Sequence, residues 1–188
     1  MSIDGQGIEI TKLKEIRCGV VSHPRFQVHQ PPSFIQLFLK GLRWGFKDCQ
    51  NKDLVICVGD NRRGMDEYIL SKWRRFELQK PPIIFDMDWD IDNHIDNHID
   101  RREKKLGMYM NLVEGVDFIV YFTHPTNPSI NSFGYVIEKE CERLNKPYIQ
   151  VPIVSYDRDE VLDWCVKVVK MLEDKSSEKN LKNLGGFF

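Results

Sequence analysis

The chain has 188 residues, a length that suits one domain, and with 41% of them hydrophobic and 29% charged it has enough apolar material for a core. A net charge of −1 excludes the charge excess of a disordered chain and the positive surplus of a protein that coats nucleic acid. No run reaches the roughly 20 apolar residues of a membrane helix, and the polar start MSIDGQGIEITKLKEI lacks the apolar centre of a signal peptide. The cysteines (Cys18, Cys49, Cys57, Cys141 and Cys165) are odd in number, widely spaced and without a CxxC pair. That pattern predicts a reduced, cytoplasmic protein with neither a disulfide framework nor a zinc cluster.

In chain order, residues 1–15 read as a polar lead. Residues 16–21 (IRCGVV) are a short apolar strand ending in a loop that starts at Ser22, His23 and Pro24. Ser33 is placed as the N-cap of a helix with apolar spacing at Phe34, Ile35, Leu37, Phe38 and Leu42. Residues 54–58 (LVICV) are too short and too continuous for an amphipathic helix, and they suit a strand buried on both faces. Gly59 breaks that run, and residues 65–76 resume helical spacing through Ile69, Leu70 and Trp73. The alternation continues with a strand at 83–85, a helix at 101–113, the strand FIVYF at 118–122, a helix at 133–144, a strand at 148–151 and a helix at 159–172. The tail from residue 173 onward is polar and expected to fray. Strands alternating with helices predict an α/β, Rossmann-like parallel sheet of about five strands, helices on both faces, in one domain over residues 16–172.

In such a sheet the ligand sits beyond the carboxyl ends of the strands, which directs attention to four loops, at residues 22–32, 59–66, 86–100 and 123–134. The segment VGDNRRGMDEY leaves a strand and opens a helix. Gly59 and Gly64 allow unusual backbone geometry or close approach, and free N–H groups at a helix start favour an anion such as phosphate. Arg62 and Arg63 add charge that matches phosphate in a forked geometry. The same residues also fit an ordinary strand-to-helix turn with solvated arginines. The spacing matches neither GxGxxG nor a Walker loop, which disfavours NAD and ATP sites.

The string GDNRRGMDEYILSKW resembles the "GGARGAD…A..W" signature of the YspA-like branch of the SLOG superfamily, through Arg63, Gly64, Asp66 and Trp73. That superfamily also includes DprA and the lonely-guy phosphoribohydrolases. Asp88-Trp89 and LGMYMNLVEGVDFIVYF continue the similarity, with Gly107, Asn111 and Asp117 in register. Asp60-Asn61 replace the leading glycines, and Met110 stands where the family has arginine. The resemblance implies a nucleotide-type pocket lined by Ser22, His23, Arg25, Gly59, Arg62, Arg63, Gly64, Asp66 and Asn111. A second segment, NPSINSFGYVIEKE, is similar in spacing to the GGxGTxxE motif of lonely-guy enzymes and the GTxxE of nucleoside deoxyribosyltransferases, on Gly134 and Glu138. Asn131, Ser132 and Tyr135 depart from it. In those families the glutamate acts at the sugar or the glycosidic bond, where a carboxylate serves as nucleophile or stabilises oxocarbenium charge. Glu138 equally reads as one of several solvated acids in EKECE.

The segment DMDWDIDNHIDNHID fails as a calcium loop, because a loop begun at Asp86 puts Ile91 at the glycine position and Asn97 at the glutamate position. His94 and His98, beside Asp92, Asp96 and Asp100, could hold a divalent metal. A polar excursion stapled down by Ile91, Ile95 and Ile99 is the preferred reading, so no metal and no cofactor are assigned. Trp44, Trp73 and Trp89 could shape a pocket but equally suit a core. The expected function is binding of a nucleotide or nucleotide-derived ligand by a sensor or sequestering protein, and the alternative is an N-glycosidase acting through Glu138. The expected partner is this small molecule, with a homodimer by analogy to related Rossmann-like proteins and no membrane association. DNA handling is disfavoured by the charge balance.

Overall fold

The computed structural model describes residues 14–22, 32–61, 64–78, 80–87, 98–123, 133–152 and 157–173. His23, Arg25, Arg62, Arg63, Asp88, Trp89, His94, Asn131, Ser132 and the tail beyond Glu173 lie outside them, as does the lead before Lys14. The elements alternate as β1 (Lys14–Ser22), α1 (Pro32–Gln50), β2 (Lys52–Gly59), α2 (Gly64–Lys72), β3 (Ile83–Phe85), α3 (His98–Gly115), β4 (Phe118–Thr123), α4 (Phe133–Arg143), β5 (Tyr148–Pro152) and α5 (Arg158–Glu173). The strands form one parallel sheet in the order β3-β2-β1-β4-β5. The α/β Rossmann-like class expected from the alternation is the class found.

The apolar runs are continuous because the sheet is covered on both sides, so every side chain of a central strand needs an apolar partner. The alternation of a strand then sorts them. Ile16, Cys18 and Val20 of β1, Leu54, Ile56 and Val58 of β2, and Phe118, Val120 and Phe122 of β4 share one core with α1, α2 and α5. Val21, Cys57, Ile119 and Tyr121 turn to the other face and meet Met108, Tyr109, Leu112 and Val113 of α3 and Ile137 and Cys141 of α4. On the first face the ring of Phe118 lies 5.6 Å from that of Phe46, and Phe122 meets Phe38 edge-on at 5.7 Å. Each such ring, fully buried, contributes roughly 2–3 kcal/mol.

Helix α1 extends well past the apolar stripe visible in the sequence, and it starts at Pro32 rather than after Ser33. Proline is tolerated in a first turn because its missing N–H has no helical partner there. Gly41 and Gly45 sit against α5: a β-carbon on either would come within 2.7 Å of the Cys165 Sγ or 2.8 Å of a Val169 methyl. The segment read as one helix over 65–76 divides into α2 and a 3₁₀ turn, Trp73–Phe76, which ends where Glu77 takes a left-handed backbone at φ 58°. Asparagine takes the same role at two helix ends. Asn145, at φ 53°, closes α4 with its own N–H on the Glu142 carbonyl and the Lys146 N–H on the Cys141 carbonyl, a Schellman arrangement.

At the amino edge of the sheet, Asp117 accepts a 2.7 Å bond from the Arg17 N–H and returns its own N–H to the Arg17 carbonyl. This reciprocal pair joins β1 to the start of β4. The position that the family resemblance put in register therefore has a structural use here, at the edge opposite the candidate site.

Candidate functional site

The carboxyl edge of the sheet is formed by Ser22, Gly59, Phe85, Thr123 and Pro152, the last residues of the five strands. Strand order reverses between β1 and β4, since β2 and β3 lie on one side of β1 and β5 lies beyond β4. A crevice at such a reversal is where open α/β sheets take their ligands. Ser22 ends β1 there and is buried. Gly59 ends β2 in register with Phe85.

Two features hold the turn after β2. The Asp60 N–H continues the ladder onto the Phe85 carbonyl at 2.9 Å and also lies 3.1 Å from the Met108 sulfur. A β-carbon at Gly59 would fall 2.5 Å from the Met108 methyl and 3.1 Å from the Tyr109 ring, so a side chain there must displace the end of Met108 and crowd Tyr109. The glycine lets α3 lie directly over the end of β2. Gly64 then opens α2 at φ 71°, a left-handed geometry that a side chain disfavours. The two glycines singled out in the sequence thus have separate uses, close approach at Gly59 and backbone conformation at Gly64.

Asp66, in the first turn of α2, is only 2% exposed. Its Oδ2 accepts a 2.5 Å hydrogen bond from the Tyr109 hydroxyl of α3, and Asn61 hydrogen-bonds the same hydroxyl. Burial pushes the Asp66 carboxyl up to about 7; the Tyr109 bond and the Lys105 charge pull it down, and Asp60 pushes it up. The Tyr109 hydroxyl is also pushed far up, first by burial and then by the Asp66 charge and the bond between them, so it stays protonated at neutral pH. The site therefore holds an acid that exchanges its proton near neutrality beside a donor that does not. Phe133, at the start of α4, meets the Tyr109 ring edge-on at 4.8 Å.

Gly134 and Glu138 belong to a neighbouring group on α4. A β-carbon on Gly134 would lie 2.7 Å from the Tyr121 ring, so glycine is required for this helix to settle on β4. Tyr148 directs its hydroxyl toward the Gly134 carbonyl at 3.4 Å, and its ring lies 6.0 Å from that of Tyr121. Glu138, half-buried one turn after Gly134, adds to the upward push on the Tyr148 hydroxyl and the Cys141 thiol, after burial in both cases. Its surroundings are thus Tyr148 and Cys141 rather than Asp66.

The structure brings together Gly59, Gly64 and Asp66, and adds Asn61 and Tyr109. Asn111 is exposed on α3, while the neighbouring Met108, Tyr109 and Leu112 turn inward. Trp73 packs against the first core, with the Arg74 guanidinium 5.6 Å from its ring, and Trp44 is exposed. Sequence reasoning passed over Tyr109, whose signal was a hydroxyl set in the otherwise apolar stripe of α3. Among the described residues no group of three metal-binding side chains occurs; His94, Asp92 and Asp96 lie outside them, while His98 begins α3. Cys18, Cys57, Cys141 and Cys165 are buried thiols and Cys49 is an exposed one. Among the described residues no helix is long and apolar enough to cross a membrane.

No protein-family model matches the chain, and neither does any curated protein. Among solved structures, the chain is similar to UDP-GlcNAc 2-epimerase from Neisseria meningitidis bound to UDP-GlcNAc, at 8% identity and a TM-score of 0.40, over 82% of this chain and 38% of that one. The chain thus spans well under half of that structure's length. The Rossmann-like description rests on the chain's own sheet order.

Proposed function

We propose that the chain binds a nucleotide or nucleotide-derived ligand at the carboxyl edge of its sheet, in a SLOG-type pocket, as a sensor or sequestering protein. The observation that carries this reading is the opening of α2. A glycine with φ 71° starts the helix immediately beyond the end of β2, beside the reversal of strand order. A helix start in that position suits a phosphate, because its first N–H groups have no helical partner and the dipole favours an anion. Arg62 and Arg63 immediately precede Gly64 in the chain and supply the charge to pair with a phosphate.

A calorimetric screen of nucleoside mono- and diphosphates tests it. Wild-type protein is expected to bind at least one, and Arg63→Ala to bind it about tenfold or more weakly, the loss typical of a charge-assisted bond. No binding by the wild type, or equal binding by both proteins, contradicts the proposal.

A second reading is an N-glycosidase or deoxyribosyltransferase-like enzyme acting on nucleoside monophosphates through Glu138. It is supported by the half-buried position of that carboxylate one helical turn from Gly134, with its charge felt at Tyr148. Glu138→Gln should abolish release of free base, followed by chromatography, and leave nucleotide binding intact. Unchanged release by the variant removes Glu138 from that role.

A further inference from the structure

The inward side of α3 changes character where the helix passes the carboxyl edge of the sheet. A β-carbon on Gly19, in register with Cys57, would meet Leu112, whereas one on Gly59, at the end of β2, would meet Met108 and Tyr109. The helix therefore runs down from the carboxyl edge, and its turns before Met108 stand beyond that edge. At the rise of an α-helix, Lys105 lies about 6 Å and Arg102 about 10 Å past Tyr109. Met108, Tyr109, Leu112 and Val113 fill the inward stripe against the sheet. Helical spacing brings Arg101, Arg102 and Lys105 onto the same side, while Glu103 falls on the outer side with Gly107. Lys105 is half-buried, and its charge favours the ionised form of Asp66, so this side of α3 overlooks the turn between β2 and α2. The Asp66 carboxyl at that corner is tied to the Tyr109 hydroxyl at 2.5 Å.

Helix energetics do not account for these cations. A helix start favours acids and a helix end favours bases. Helices α2 and α5 follow that rule, with Asp66 and Glu67 or Asp159 and Glu160 in the first turn and Lys72 or Lys170 in the last. Helix α3 reverses it: Arg101 and Arg102 come within five residues of its start, and its last turn holds Glu114 and no base. Departures from a local rule are expected where residues serve a site.

We propose that Arg101, Arg102 and Lys105 form a basic wall above the carboxyl edge that takes the second phosphate of a ligand with two phosphates in series. The ligand class is then a nucleoside diphosphate or a diphosphate ester rather than a monophosphate. This inference rests on the ligand reading above, which places the first phosphate at the start of α2, the turn that the wall overlooks. A monophosphate seated there engages the turn alone. A diphosphate extends from it to the wall, where arginine offers forked donors and lysine a point charge to phosphate oxygens.

Calorimetry of the full chain at one fixed ionic strength tests the wall, with each nucleoside monophosphate compared with its own diphosphate. For the nucleoside that binds best, the wild type is expected to hold the diphosphate about tenfold or more tightly than the monophosphate, the gain of one charge-assisted contact. The triple variant Arg101→Gln, Arg102→Gln, Lys105→Gln should abolish that preference. Arg102→Gln alone, at an exposed position, should remove part of it and keeps the test decisive if the triple variant fails to fold. Arg74→Gln with Arg75→Gln, equally exposed cations on the 3₁₀ turn, should leave the preference intact. Equal affinity of the wild type for the two phosphates overturns the wall, as does a preference that survives in the wall variants or is lost equally in the Arg74 and Arg75 variant. In each of those cases nucleotide binding itself stands, and the ligand reading with it. No binding of any nucleotide by the wild type overturns both.

Discussion

A carboxyl that is 2% exposed and titrates near neutrality makes the stability of the fold depend on pH in an unusual direction. Most acids in folded proteins titrate below their ordinary range and lose their contribution as the pH falls. Asp66 is the reverse case: its folded value of about 7 lies above the ordinary 3.8. Its contribution is therefore fully present below about pH 4, declines as the pH rises toward about 7, and is constant above that, a total of roughly 4 kcal/mol. Asp66→Asn keeps the shape and removes the titration. The variant should unfold at a higher temperature than the wild type at pH 8 and at a similar temperature near pH 4, and thermal melts across that range check it. An identical decline in both proteins would show that Asp66 is not responsible. The turn carrying this acid was legible in the sequence, because Gly59 and Gly64 bracket it at a strand end. Its partner was not. Tyr109 lies 43 residues away in a helical stripe, where spacing identifies a buried residue but not the polar group it meets.

At the level of elements, the strands were the most legible, since a short continuous apolar run leaves little choice once both sheet faces are covered. Helix ends were less so. The second half of α1 keeps the stripe only through Leu42 and Phe46, and the close approach of Gly41 and Gly45 to α5 and the Gln50 amide on the Val169 carbonyl at 3.0 Å hold it in place. Nor did the spacing over 65–76 show that the last turn tightens into a 3₁₀ form. The end of α3 depends on a residue from another element. Lys146, presented by the left-handed Asn145, directs its ammonium to the carbonyls of Val113 at 2.9 Å and Val116 at 2.6 Å, and to that of Glu114. A cation at a helix carboxyl end satisfies carbonyls that have no helical partner and opposes the dipole. Lys146→Met should cost about 2 kcal/mol in denaturant unfolding and raise amide exchange in the last turn of α3. A loss below about 0.5 kcal/mol, the range of an ordinary surface substitution, would show that water replaces the ammonium freely.

For the whole molecule, alternation alone gave a parallel sheet with helices on both faces, but it could not order the strands. The order β3-β2-β1-β4-β5 depends on which helix crosses which face, and that follows from contacts between distant parts of the chain, such as Arg17 with Asp117. The order matters because it puts Ser22, Gly59 and the start of α2 at one edge and Asp117 at the other. The central claim is that ligand binding belongs to the carboxyl edge, and an amide NMR titration of the full chain with the nucleoside phosphate that binds best tests it most directly. Shifts should concentrate at Ser22, Asp60, Gly64, Met65 and Asp66 and leave Asp53 and Asp117, at the amino edge, unmoved. Saturable shifts centred on the amino edge, or no saturable shifts from any nucleotide, would contradict it.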